Sequence, residues 1–200
     1  MKEKDITKVI LGKKVDLSKI SPDVKCSFSK DELLSLTEKN IEIMDKLQER
    51  LYAENKQSLL VVLQAIDAGG KDGTIRKVFG PLNPQGVQVT SFKAPTPIEK
   101  SHDFLWRIHN EVPQNGIIKV FNRSHYEDVL IVRVHDWINE EECKKRYEHI
   151  NSFEKLLSES GTKIIKIFLY ISKEEQKKRL QERIDVKEKN WKFNSDDIKE

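Results

Sequence analysis

The sequence is poor in several things at once. Its 200 residues include only 2 cysteines, 6 prolines, 8 glycines and 3 tryptophans. Two cysteines, Cys26 and Cys143, cannot build a disulfide scaffold and have no metal-ligand spacing. A reducing cytoplasm is therefore the expected compartment. No run approaches the roughly 18 apolar residues that a membrane span requires. The N-terminal MKEKDITKVILGKK has neither the apolar stretch nor the small-residue cleavage site of a secretory signal. Neither a membrane nor export is expected. Apolar residues make up 37% of the chain and charged ones 34%, against usual values of about 45–50% and about 25%. Basic residues exceed acidic ones by only 36 to 33, a net charge of +3. That balance argues against a general nucleic-acid coat, so any anion site must come from local clustering. His102, His109, His125, His135 and His149 show no HExxH-type pairing, and no Ser-His-Asp order can be defended. The three tryptophans, Trp106, Trp137 and Trp191, are scattered and read as packing residues.

What is present alternates. Residues 1–28 are weakly periodic and read as an N-terminal arm. From Ser29 the chain reads as one domain to residue 200. Ser29 with Glu32 matches a capping box. Leu33, Leu36, Ile43, Met44, Leu47 and Leu51 then recur at helical spacing, which predicts an amphipathic packing helix over 30–54. The run Leu59 to Ile66, nearly all apolar and rich in β-branched residues, fits a strand buried on both faces of a parallel sheet. Further strands are predicted at 87–92, 117–121 and 163–171. Helices are predicted at 74–80, 97–111 (opened by Pro97), 125–135, 140–160 and 173–185, the last capped by Ser172. Alternation of this kind gives an α/β fold, a parallel sheet with helices on both faces.

Three segments carry chemistry. Ala65-Ile66-Asp67-Ala68-Gly69-Gly70-Lys71-Asp72-Gly73-Thr74 lies between the first buried strand and a helix, where a phosphate loop belongs. Glycines let successive backbone N–H groups wrap an anion, and the helix start adds partial positive charge. Lys71 supplies a cation for terminal phosphates. The match to G-x-x-x-x-G-K-[ST] is imperfect, since Ala65 replaces the first glycine and Asp72 the hydroxyl. Asp67 is the candidate to take over the metal contact of that hydroxyl. The competing reading is a glycine-rich turn with a solvated lysine.

The second segment is Val120 to Leu130, containing Asn122-Arg123-Ser124-His125-Tyr126-Glu127-Asp128. Asn122 stands where a strand-end carboxylate would be expected and is a poor magnesium ligand. Arg123, at the strand's C-terminal end, points into the ligand crevice of such folds. A strand-to-helix boundary capped by Ser124 would explain several of these residues without function. The third segment is Lys173–Lys192, where Lys177, Lys178, Arg179 and Arg183 cluster on a helix. Basic helices that close over phosphates exclude water and stabilise charge. A solvated helix balanced by Glu174, Glu175 and Glu182 is the plainer alternative. Lys93, at the end of the second strand, could reach an anionic substrate or simply sit in a surface loop.

QAIDAGGKDGTIRKVFGPLNPQGVQVTSFKAPTP followed by GIIKVFNRSHYEDVLIVRVH resembles the polyphosphate kinase 2 family, from about residue 30 to the chain end. The SHYEDVL form looks like the subgroup accepting both nucleoside mono- and diphosphates. The resemblance implies a P-loop kinase-like three-layer α/β/α sandwich with a basic lid, here partial, over 173–200. It implies Mg2+-dependent, reversible phosphoryl transfer between inorganic polyphosphate and an adenine or guanine nucleotide, with homo-oligomerisation expected. Asp67 then organises metal and phosphate, and Lys71 is the loop lysine, with Ala68, Gly69, Gly70, Asp72, Gly73, Thr74, Lys93 and Glu127 around the nucleotide phosphates. Arg123 contacts transferring phosphate, and Asp128 is a second candidate for metal or proton handling. Lys77, Arg123, Ser124, His125, Arg179 and Arg183 are expected to grip polyphosphate. Family members continue well past the point where this sequence stops, and Ser195 with Asp196 and Asp197 reads as the start of a helix with few residues to follow. An ATP-using kinase of the same fold and a non-catalytic binder of polyphosphate or nucleotide are the other classes open.

Overall fold

The computed structural model describes residues 8–10, 12–23 and 27–192. Cys26 and the helix start expected at Ser195 lie outside the described residues. Helix α1 runs Lys30–Glu54, and its capping box is formed: Ser29 Oγ accepts from Glu32 N, and the Glu32 carboxylate accepts from Ser29 N. It ends at Asn55 in the left-handed conformation, a position where asparagine is tolerated. Strand β1 (Ser58–Ala65) follows, then helix α2 (Lys71–Thr74), which continues as a π-turn over Ile75–Phe79. Strand β2 spans Val87–Ser91, and two short helices, α3 (Pro97–Lys100) and α4 (Trp106–His109), lead to β3 (Ile118–Asn122). Helices α5 (Glu127–Val134) and α6 (Glu140–Glu159) precede β4 (Thr162–Leu169), and α7 (Lys173–Asp185) closes into a 3-10 turn at Lys187–Lys192.

The four strands form one parallel sheet in the order β2-β3-β1-β4. β1 is central, and Leu60, Val61, Val62 and Leu63 are all buried, facing both sides alternately. On one face Leu60, Val62 and Phe121 pack with Ile108 of α4 and Phe153 and Leu157 of α6. On the other, Val61, Leu63, Ile118 and Val120 meet Phe79 and the Ile41, Met44 and Leu51 side of α1. Val129 of α5 packs on Cys143 and Ile150 of α6. This is the expected three-layer α/β/α arrangement. β4 has no strand on its outer side among the described residues, and Ile165, Ile167 and Phe168 are exposed there.

Several local expectations are corrected. Met44 and Leu51 face the sheet as expected, but Ile43 and Leu47 face solvent, and Ile41 and buried Gln48 complete that side of α1. The single helix expected over 97–111 is two pieces. Asp103 Oδ1 accepts from Leu105 N at 3.0 Å, a local side-chain turn that competes with helix continuation. The helix after the glycines opens at Lys71 rather than at 74. Ser124 does not cap α5: it is fully buried, and its Oγ accepts from Gln64 Nε2 and from Tyr126 N. Trp137 and Trp191 are 68% and 78% exposed, so they do not pack in the core, while Trp106 stacks on His102.

Candidate active site

The segment after β1 turns sharply. Gly69 N donates to Ile66 O at 3.0 Å, and a Cβ on Gly69 would lie 2.5 Å from Ala65 Cβ and 2.7 Å from Ile66 O. Only glycine fits there. Gly70 takes a φ of 100° and Ala68 a φ of 57°, so two residues of the loop occupy the left-handed region. Lys71 begins α2 immediately afterwards, and its Nζ donates to the Ala65 carbonyl at 2.9 Å. Burial pushes the Lys71 ammonium below its ordinary value and the Arg123 charge adds to that, opposed by Asp67, Glu127 and Asp72.

Across the loop, at the end of β3, Arg123 is also left-handed at φ 64°. A non-glycine residue held there is a local strain that the surrounding structure must enforce. The backbone is fixed by Arg123 N donating to Leu63 O at 3.2 Å, and Arg123 Nη2 meets Asp67 Oδ1 at 3.1 Å. Asn122 donates its side-chain amide to Asp72 Oδ1 at 2.9 Å and to Ser91 Oγ at 3.3 Å. A carboxylate in place of Asn122 would set two like charges together. Glu127, half-buried at the start of α5, is pushed up by burial against the pull of Arg123 and Lys71, with Asp67 in the same field. Asp67, Lys71, Arg123 and Glu127 thus form one charge cluster over the loop.

Helix α7 covers this cluster from the β4 side. Arg179 Nη1 donates to Ala68 O at 3.1 Å while its Nε contacts Glu175 at 2.7 Å, and Gln176 Nε2 donates to Asp67 O at 3.2 Å. Arg183 follows one turn later. Lys77 is exposed on the π-turn, and Lys93 is exposed beyond β2. A cavity of about 330 Å³ opens at the β2 end, lined among others by Lys93, Thr96, Trp106 and Arg107.

Two residues expected to touch ligand are core residues instead. His125 has no exposed surface: its Nε2 lies 3.2 Å from Glu154 Oε1, and its ring packs against Phe153 and Tyr126. Ser124, equally buried, is used up by Gln64 and Tyr126 N. Asp128 faces away from the loop cluster toward Arg107, 3.6 Å from its Nη2. Burial raises its carboxyl, with Arg107 and Arg146 opposing. Asp67, Ala68, Gly69, Gly70, Lys71, Asp72, Gly73 and Thr74 lie together in the loop and first helical turn. Sequence reading missed Arg107, Gln176 and Glu154. Each acts through a partner remote in the chain, and only the charge of Arg107 inside an otherwise apolar stretch, Phe104 to Ile108, could have drawn attention.

A parallel sheet whose central strand delivers a glycine-lysine loop into a helix, facing an arginine at the neighbouring strand's end, defines a P-loop kinase-like fold with an anion-binding centre. The particular family follows from comparison: the profile of polyphosphate kinase 2 (PPK2) matches residues 27–200, and the chain belongs to that family. It is 56% identical over 157 residues to the AMP/ADP-polyphosphate phosphotransferase of Meiothermus ruber, covering 78% of this chain and 59% of the relative. It is 46% identical to the ADP-polyphosphate phosphotransferase of Rhodopseudomonas palustris, covering 94% of this chain and 70% of the relative. The crystal structure of polyphosphate kinase 2 from Arthrobacter aurescens TC1 superimposes with a TM-score of 0.85 at 45% identity, over 95% of this chain and 69% of that one. The sequence thus spans between three-fifths and seven-tenths of these relatives' lengths. No helix among the described residues is long and apolar enough to cross a membrane.

Proposed function

We propose that this chain transfers a phosphoryl group reversibly between inorganic polyphosphate and a nucleoside mono- or diphosphate, adenine or guanine. The observation that carries the reading is the convergence of Lys71, Arg123 and Arg179 on one glycine loop, with Asp67 and Glu127 as the carboxylates among them. Phosphoryl transfer asks a protein for alignment and charge neutralisation more than for covalent chemistry. An acceptor phosphate oxygen forms a bond to the terminal phosphorus, and the anhydride bond breaks with its electron pair leaving on the shortened polyphosphate. Both sides of that exchange are phosphoanhydrides or phosphates, so reversal is expected. Lys71 and the loop amides hold phosphate oxygens. Arg123 and Arg179, with Arg183 and Lys77 beyond, face a polyanion.

The two flanks of the loop differ in a way that suits two substrates. The β4 side carries the basic helix α7, matched to a chain of phosphates. The β2 side carries the 330 Å³ cavity with Trp106 and Lys93 in its lining, matched to a nucleoside and its phosphate. The donor set also fits Mg2+, which takes one or two carboxylates and fills its shell with phosphate oxygens and water. Asp67 is the residue to hold it, with Glu127 in the same field, and Asp128, turned to Arg107, is the weaker candidate. When bound, the ion would neutralise phosphate charge. A cytoplasmic setting belongs to the same reading, since free nucleoside phosphates are its substrates. The names of the Meiothermus and Rhodopseudomonas relatives support this activity. The test is transfer of phosphate from polyphosphate to AMP and to ADP, each with and without Mg2+. Phosphorylation with ATP as the only working donor would reject it.

A further inference from the structure

Arg107 is an unusual resident of its position. It lies on the four-residue helix α4, with a side chain only 8% exposed. Its Nη1 donates to the Lys93 carbonyl at 2.7 Å, just beyond β2, and the guanidinium lies 5.6 Å over the Phe92 ring. On its other side Nη2 stands 3.6 Å from Asp128 Oδ2, which has no hydrogen-bond partner among the described residues. Asp128 is the neighbour of Glu127, and Arg146 Nη1 fixes the same turn by donating to the Asp128 carbonyl at 3.0 Å. One planar fork therefore spans the β2 end and the start of α5, two elements that have no direct chain connection. It also lines the 330 Å³ cavity.

A buried ion pair of this kind contributes little net stability compared with apolar side chains of similar size. Its directional contacts do fix geometry, and arginine holds two partners at once where lysine offers a point charge. We propose that Arg107 is a positioning residue for the acceptor nucleotide: by holding the Lys93 carbonyl and the Asp128 carboxylate together, it sets the distance between the Lys93 wall of the cavity and the turn that carries Glu127. The inference rests on the acceptor reading given above. It separates the two substrates, because among the described residues the contacts of Arg107 lie at the β2 end and the start of α5, and none is to α7.

The test is steady-state kinetics of purified protein with AMP varied at saturating polyphosphate, then polyphosphate varied at saturating AMP. Arg107→Lys should raise KM for AMP about tenfold, as expected for a misplaced substrate-positioning wall, and leave KM for polyphosphate within about twofold. Asp128→Asn should shift KM for AMP in the same direction. The double variant should be no worse than Arg107→Lys, as for residues acting as one unit. Thermal melting of each variant separates this from a folding defect. If Arg107→Lys does not fold, the same KM split in Asp128→Asn carries the proposal. Lowered melting temperature and kcat with both KM values unchanged, or an equal rise in both, would overturn it. A wild-type chain that moves no phosphate from polyphosphate to AMP or ADP would overturn the functional reading itself, and that result involves no variant.

Discussion

Lys71 and Asp67 share one charge cluster with different tasks. Lys71 is anchored to a carbonyl, so its charge is aimed but not neutralised. Asp67 is paired with Arg123 and can exchange that partner for a cation or let Arg123 turn to phosphate. Lys71→Ala and Asp67→Asn should each abolish measurable transfer while leaving the circular dichroism spectrum and melting temperature close to wild type, because neither side chain is a core residue. Wild-type-like turnover in either purified variant would remove that residue from the mechanism. Behind the site, Glu154 does a purely structural task. Burial disfavours its charge, but hydrogen bonds from His125, Lys166 and Tyr126 and the Lys166 charge overcome that and hold the carboxyl down at about 2. A carboxyl lowered on folding contributes stability above its unfolded value, near 4.5, and that contribution disappears as pH falls toward about 2. Glu154→Gln should remove on the order of 3 kcal/mol at neutral pH and flatten the acid limb of a denaturation series between about pH 4.5 and 2. An acid limb as steep as wild type would contradict the assignment.

At the scale of elements, the loop and helix α7 make separate predictions. Gly69→Ala places a Cβ within 2.5 Å of Ala65 Cβ, so the loop must open. Transfer should fall by at least about a hundredfold, since a misplacement of roughly 1 Å costs that much, with the sheet intact by circular dichroism. Helix α7 contacts the loop through Arg179 and Gln176. Arg179→Ala should raise KM for polyphosphate several-fold and leave KM for AMP nearly unchanged, the mirror image of the Arg107 result, which the same two titrations would read. The elements themselves were largely legible. β1 announces itself as a nearly unbroken apolar run because both of its faces are covered, and Ser29, Ser172 and the glycine loop mark their helices by local chemistry alone. Legibility failed where a long-range partner decides. Nothing near Ser124 or His125 in the chain shows that Gln64 and Glu154 take them out of solvent. The burial of Arg107 likewise depends on partners remote in the chain, the Lys93 carbonyl and Asp128. The charge cluster was readable as a list of residues, but the turning of Asp128 away from it was not.

Across the whole molecule, a net charge of +3 conceals a strongly uneven distribution. Lys71, Arg123 and Arg179 converge on the loop, while several charges elsewhere are paired on the surface, as in Lys145 with Glu141 and Lys189 with Glu182. Such exposed pairs contribute little to stability, so they mainly serve to balance the surface. The paucity of apolar residues is matched by a sheet that the described residues cover incompletely: β4 presents Ile165 and Ile167 on one face and Phe168 on the other. An exposed apolar edge strand is a template for self-association. Ile167→Lys should reduce light scattering of concentrated protein without altering transfer, and unchanged scattering would clear that edge of the role. The most direct test of the central claim is a donor–acceptor matrix. Polyphosphate and ATP are each offered with AMP and with ADP in the presence of Mg2+, and the nucleotide products are separated and quantified. The account predicts phosphorylated nucleotide from polyphosphate with either acceptor, lost in Lys71→Ala. Product formed from ATP alone, or no product from a folded chain that binds polyphosphate, would contradict it.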